Sequence, residues 1–276
     1  MKWDKIGRWQ RALLLAIGAF LMYFPILWML STALKPQALA FNGALVPAPA
    51  SLNNFRAILG PTSYEPTFRW LGNSLLVSVT ASCLIVAVDS LAAYALARLR
   101  FRGRRFLFGV VLASLTVPFV AVLIPLYLEM SGFNMLNTYY ALILPYAANG
   151  FGVFLLYQFY LGIPLEVEEA AIMDGANRLR VWAHIFVPLG VAPMVTLGMV
   201  TFMNVYNDFL WPLVATSSVQ MRTMTVGIAL MAIGQYATNY PLLMALTFCS
   251  VLPILVAFIF AQRRLVEGIA FSGLTM

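Results

Sequence analysis

The chain has 276 residues, 62% of them hydrophobic and only 10% charged, with a mean hydropathy of +0.87. Soluble domains carry charge on roughly a quarter of their residues, so this composition excludes a soluble globular protein and requires an integral membrane one. The net charge of +7 would suit nucleic acid if it were clustered, but its distribution along the chain assigns it to a membrane surface.

Apolar runs of about twenty residues predict transmembrane helices, since a helix crosses roughly 30 Å of hydrocarbon at 1.5 Å per residue. Six are expected, at about 11–34, 69–97, 106–130, 138–162, 186–211 and 241–262. The predicted fold class is all-α integral membrane, one six-helix domain over residues 1–276. A barrel is excluded because its strands alternate apolar and polar residues. The first run is too long for a signal-peptide core and lacks a small-residue cleavage site, so it reads as a retained helix. An irregular outer loop follows at 35–68, with a short helix expected at Asn53–Leu59. Residues 98–105, "RLRFRGRR", form a tight inner hairpin, and 131–137 a tight outer turn. The loop 163–185 is the longest inner feature, and 212–240 is a second outer excursion whose apolar stretch 224–234 is too short to span.

Thirteen of the seventeen basic residues fall on one side of these spans: Lys2, Lys5, Arg8, Arg11, Arg98, Arg100, Arg102, Arg104, Arg105, Arg178, Arg180, Arg263 and Arg264. The other side holds Lys35, Arg56, Arg69 and Arg222. The positive-inside rule therefore puts both termini and the 98–105 and 163–185 loops in the cytoplasm, with lipid headgroups as partners and no nucleic acid. Cys83 and Cys249 lie within apolar runs and read as buried thiols. His184 is the only histidine, which rules out a histidine metal cluster.

Charged groups at bilayer depth are costly and normally face protein or a watered path. Here they are Asp89, Glu129 and Asp208, with Asn73, Asn149, Gln158, Asn204 and Asn207 as amide counterparts. In "NVYNDFLWP" the residues Asn204, Asn207, Asp208 and Trp211 follow i, i+3, i+4, i+7 spacing and predict one polar helical face. Such a stripe either lines a pathway for a hydroxylated solute or hydrogen-bonds neighbouring helices. Asn73, Asn149, Asn204, Asn207, Asp208 and Trp211 are the candidate translocation residues. An ion-coupled carrier using Asp89, Glu129 or Asp208 stands as the alternative.

The inner loop 163–185 breaks the apolar pattern with "EEAAIMDGANRLR". Pro164 suits a helix start, Glu166, Glu168 and Glu169 favour its N-terminal dipole, and Gly175 supplies a left-handed stop. Asn177 can then cap a second helix that returns to the membrane with Trp182, Ile185 and Leu189. Glu169-Ala170-Ala171, three residues, Gly175, nine residues, Ile185, one residue, then Val187-Pro188 reproduces the pattern EAA---G---------I-LP, with valine where leucine is usual.

On that motif the chain resembles the membrane-spanning permease subunit of bacterial ABC importers. "NSLLVS" (73–78), "AAYALARLRFRGRR" (92–105), "NTYYALILPY" (137–146), "NDFLWPL" (207–213) and "QRRLVEGIAFSGL" (262–274) are similar to the carbohydrate-type branch, which includes the second permease subunits of maltose and glycerol-3-phosphate importers. The resemblance implies a coupling helix that docks on a separate ATPase through Glu168, Glu169, Ala170, Ala171, Asp174, Gly175 and Ala176, backed by Ile185 and Pro188. It implies a homologous second permease chain, two ATPase copies, an extracytoplasmic solute-binding protein and location in the bacterial inner membrane. Lys2, Lys5 and Lys35 are the only lysines, and none lies in a phosphate-binding loop. ATP and magnesium are therefore expected on the partner ATPase, with no cofactor, metal or catalytic residue in this chain. Paired catalytic carboxylates and a nucleophile motif are missing, which disfavours a membrane enzyme.

Overall fold

A computed structural model of the chain describes residues 7–60, 66–234 and 238–273. Lys2 and Lys5 of the predicted inner basic set, and the side chains of Arg8, Arg263 and Arg264, lie outside the described residues. All regular structure among the described residues is helical. The chain divides into two compact units, one of residues 1–68 with 227–252 and one of 69–226 with 253–276.

The first unit begins with α1 (Arg8–Ala33), a helix long and apolar enough to span. Leu13, Leu14, Leu15, Phe20, Leu21 and Met22 on it are all exposed, as expected of a helix meeting lipid or another chain. The C-terminal carbonyls of α1 are orphans by helix geometry. Asn54 on α2 (Asn53–Leu59, the short helix anticipated from sequence) satisfies this end by donating Nδ2 to Ala33 O and Lys35 O at 2.8 and 2.9 Å. Lys35 is buried, with its ammonium 5.3 Å from the centre of the Trp28 ring.

The second unit carries the functional features. Its backbone is α3 (Thr67–Arg98), a continuous spanning helix that lies in this unit from Arg69 onward. The next three predicted spans are not straight. The span near 106–130 is α4 (Arg104–Ser114) and α5 (Phe119–Gly132), bent by 103°. Pro118 lies at that break, where it donates no hydrogen bond and disfavours helical geometry in Val117. The span near 138–162 is α6 (Tyr139–Ile143) with a tight turn to Tyr146, then α7 (Gly150–Leu161), bent by 42°. The inner loop forms α8 (Leu165–Met173) and α9 (Arg178–Val181). A π-helical turn at Trp182–Phe186 and α10 (Val187–Leu189) then lead through a 79° bend at Gly190 into α11 (Val191–Asn207). Among the described residues three unbroken helices are long and apolar enough to cross a bilayer, and each bent pair taken as one span makes six.

Beyond α11 come α12 (Leu210–Ala215), the short apolar α13 (Met224–Ile233) and α14 (Tyr240–Gly273). Within the second unit, Met199, Phe202 and Tyr206 of α11 pack against Leu71 and Leu75 of α3 and Ile254 and Ala257 of α14. Cys83 corrects the expectation of a buried thiol: it is exposed, because it falls on the outer face of α3, and Cys249 is half-buried.

Close helix approach in this unit depends on glycine. A methyl at Gly152 of α7 would collide with the Asp89 carboxylate and stand 2.9 Å from Leu197, whereas one at Gly72 would meet nothing within 4 Å. Gly152→Ala should therefore cost about 1–3 kcal/mol by overpacking. Thermal unfolding in detergent should show a lowered midpoint for Gly152→Ala and none for Gly72→Ala.

Candidate functional site

Two regions of the second unit gather the residues singled out from sequence. The first is the inner loop. Pro164, with extended backbone, precedes α8, and Glu166 and Glu168 sit in its first turn. At its far end Gly175 has φ +83°, its amide donating to Ile172 O at 2.9 Å while Ala176 N donates to Ala171 O at 3.0 Å. This pair of bonds is a Schellman stop, and the left-handed position explains why glycine stands there. Asn177 caps α9, its Oδ1 accepting from Arg180 N at 2.8 Å.

The surface of α8 is open. Glu169, Ala170, Asp174 and Gly175 are exposed, Ala171 and Ala176 are half-buried, and the alanines leave a low, flat ridge between charged groups. Ile185 is half-buried and Pro188 exposed where the chain returns toward the spans. Glu168, also expected in the docking set, is placed differently from Glu169. It is turned inward and 4% exposed, its Oε1 2.5 Å from Arg178 Nη1 and its Oε2 3.9 Å from Arg98 Nε. Sequence spacing gave no warning, because Glu168 and Glu169 are adjacent acids and only the packing of α8 decides which one faces in.

The second region is a cavity of about 550 Å³ lined in part by Tyr146, Asn149, Thr201, Asn204, Asn207 and Asp208. Four of the six candidate pathway residues thus meet at one place. Asn149 caps α7 by accepting from Phe151 N at 2.8 Å, and its own amide donates to Asp89 Oδ1 at 3.1 Å. Asp208 accepts from Tyr146 Oη and, through Oδ1, from Leu210 N at 3.0 Å. Asn204 and Asn207 are exposed on α11, and Asn207 Nδ2 donates back to Met203 O at 2.8 Å.

The other two residues are held elsewhere. The predicted single face is interrupted, since α11 ends at Asn207 and Asp208–Phe209 are not helical. Trp211 therefore belongs to α12, fully buried, with its indole N–H donating to Ala141 O at 2.8 Å. Asn73 is buried and bridges distant loops: Nδ2 donates to Gln220 O and Arg222 O at 2.7 and 2.9 Å, and Oδ1 accepts from Tyr139 Oη at 2.7 Å.

Two of the three carboxylates considered for an ion-coupled carrier are similarly engaged. Asp89 is fully buried and serves the α6–α7 break, Asp208 caps α12, and Glu129 is exposed. Tyr146 and Thr201 are cavity groups that sequence reasoning passed over. Their signal was weak, because a lone hydroxyl in an apolar run is common and only the bend after Tyr146 turns that ring toward Asp208.

A bundle of bent apolar helices with an exposed inner helix of small residues and a polar cavity defines a multi-pass membrane permease. The family described as "Binding-protein-dependent transport system inner membrane component" matches residues 89–270. The chain is 33% identical to the arabinooligosaccharides transport system permease protein AraQ of Halalkalibacterium halodurans, over 99% of this chain and 98% of that protein. It is also 33% identical to the sulfoquinovosyl glycerol transport system permease protein SmoH of Agrobacterium fabrum, over 91% and 88% of the two chains. Its fold matches a chain in the crystal structure of a bacterial ABC transporter involved in the import of the acidic polysaccharide alginate, with TM-score 0.83 at 21% identity, over 95% of this chain and 98% of that one. The chain belongs to the binding-protein-dependent transport system inner membrane components, and is an ABC importer permease.

Asn73→Ala removes three part-buried hydrogen bonds, two to carbonyls and one from a hydroxyl, each worth about 0.5–1.5 kcal/mol. The expected outcome is a strongly lowered unfolding midpoint in detergent, far larger than for Asn204→Ala.

Proposed function

We propose that this chain is the permease subunit of an ATP-driven importer for an oligosaccharide or a related polyhydroxylated solute. The observation that carries the driving step is α8, a helix with a single buried residue, whose Glu169, Ala170 and Asp174 are exposed beside the Gly175 stop. A flat helix with charged borders can seat in a cleft of a second protein and transmit rigid-body motion. Two copies of a separate ATPase bind ATP and magnesium, and one of them takes α8 of this chain. Both termini and the 98–105 and 163–185 loops are cytoplasmic, in keeping with the thirteen basic residues assigned to that side. The exposed apolar face of α1 is available to a homologous second permease chain, and a solute-binding protein delivers cargo from the other side.

The solute class follows from two supports. Curated relatives are transporters of arabinooligosaccharides, of sulfoquinovosyl glycerol and, in Thermococcus litoralis, of trehalose and maltose. The cavity lined by Asn149, Thr201, Asn204, Asn207 and Asp208 offers amides, a hydroxyl and a carboxylate, which pair with sugar hydroxyls without fixing net charge. Its volume of about 550 Å³ falls in the range of small-molecule sites. The rest of the cavity is apolar, from Ile85, Phe119 and Pro145, and suits the C–H faces of a sugar ring.

Affinity purification of the tagged chain from its own membranes in mild detergent should recover a P-loop ATPase and a second six-helix chain. Recovery of the chain alone, with uptake abolished by an uncoupler while ATP persists, would establish the ion-coupled carrier instead. Gly175→Asp should abolish uptake with normal membrane insertion, because the left-handed stop is lost and a charge enters the docking ridge. Asn204→Ala and Asn207→Ala should each lower uptake at limiting solute by about two- to tenfold, the worth of one hydrogen bond. Unchanged uptake in both would remove the cavity from the solute path.

A further inference from the structure

We infer that Arg98 is the positioning residue that links α8 to the membrane helices, so that its contact with Glu168 carries motion of α8 into α3 and α7. The inference rests on the proposal that α8 docks on an ATPase, and it adds the element on the permease side through which the push travels.

Glu168 is the only buried residue of α8, and its side chain is 5% exposed. The helix otherwise contributes little more than the half-buried Ala171 to the apolar core beneath it. A helix so placed is held by its carboxylate rather than by packing. Arg98, the last residue of α3, has a side chain 4% exposed and lies beneath Glu168. Its Nη2 donates to both Tyr160 O, in the last turn of α7, and Ile163 O, just beyond the end of that helix. Its guanidinium carbon stands 5.2 Å from the centre of the Phe186 ring, in the π-helical turn that leads back to the spans. One planar, permanently charged fork therefore touches the ends of α3 and α7, the return segment and α8.

The two oxygens of Glu168 are treated differently. Oε1 pairs with Arg178 at 2.5 Å, and that arginine is 56% exposed. Oε2 and Arg98 Nε face each other at 3.9 Å, both buried and neither hydrogen-bonded. An approach of about 1 Å would make that bond. Buried groups of opposite charge this close and short of a bond favour a small inward displacement of α8, which is the direction a docked partner would press. Arg178, on the exposed side, completes the charge balance and also interacts with the Tyr94 side chain on α3.

The test uses the complete transporter in proteoliposomes, with Glu168→Gln and Arg98→Lys as the principal variants and Arg178→Gln as control. Glu168→Gln keeps shape and removes charge, while Arg98→Lys keeps charge and removes the fork. Both should assemble and hydrolyse ATP, yet move at least about tenfold less solute per ATP, because Glu168→Gln removes one charge of a buried pair and Arg98→Lys removes the fork that joins it to α7. Arg178→Gln should change that ratio less than threefold. A merely structural role would lower assembly and leave the ratio intact, and a wild-type ratio in both principal variants would overturn the inference. Hydrogen exchange of the purified chain keeps the test decisive if a variant fails to assemble. Residues 165–173 should exchange at least about tenfold faster in Glu168→Gln, with the core of α7 unchanged. Equal exchange in wild type and variant would overturn the link. Absence of any ATPase in the purified wild-type complex would instead overturn the docking proposal, with the exchange result standing by itself.

Discussion

A helix interrupted inside a bilayer exposes amides and carbonyls that no water can satisfy, and this chain interrupts three of its six potential spans. Polar side chains of the second unit gather where helices break or end. Asp89 and Asn149 close the break between α6 and α7. Asp208 closes a further break, between α11 and α12, its side chain accepting from Leu210 N and its backbone carbonyl from Thr225 Oγ1 at 2.8 Å. Arg98 closes the inner end of α7. In each case a polar side chain that would be expensive in lipid is retained because it replaces missing backbone partners.

This accounts for where the polar cavity lies. The helix breaks bring the end of α11 and the turn before α7 together, and the capping residues Asn149 and Asp208 line the cavity with the exposed residues Asn204 and Asn207 beside them. Residues that stabilise the breaks therefore also line the cavity, so stability and the cavity lining are not separable at Asn149 or Asp208. They are separable at Asn204, whose side chain is exposed on α11. Asn73 is the opposite case, an amide wholly committed to joining the loop around Gln220–Arg222 to α3.

The loop of residues 163–185 follows a different logic. Its helix α8 is short, nearly unburied and ended by a Schellman stop at Gly175, so its shape is set locally while its attachment is not. The neighbouring acids Glu168 and Glu169 divide the work: one is turned toward Arg98 and Arg178, and the other is left on the surface. A charge held below the helix and a charge presented above it allow α8 to be gripped from both sides, which an apolar underside would do less directionally.

The amino-acid sequence by itself determined what depends on near neighbours. The lengths of apolar runs fix the potential spans, Pro118 and Gly175 fix a break and a stop, Asn177 fixes a cap, and the spacing from Glu169 to Pro188 marks the inner loop. Tertiary structure decided which polar groups are free. Trp211 leaves the predicted stripe because its partner, the Ala141 carbonyl, is seventy residues away, and Asn73 is bound to Arg222 O across 149. Glu168 and Glu169 are equal in sequence and differ only because Arg98, seventy residues before Glu168 in the chain, lies beneath one of them. Helical periodicity places a side chain on a face, but the cost of burying an unpaired polar group decides what that face must meet, and its partner comes from the fold.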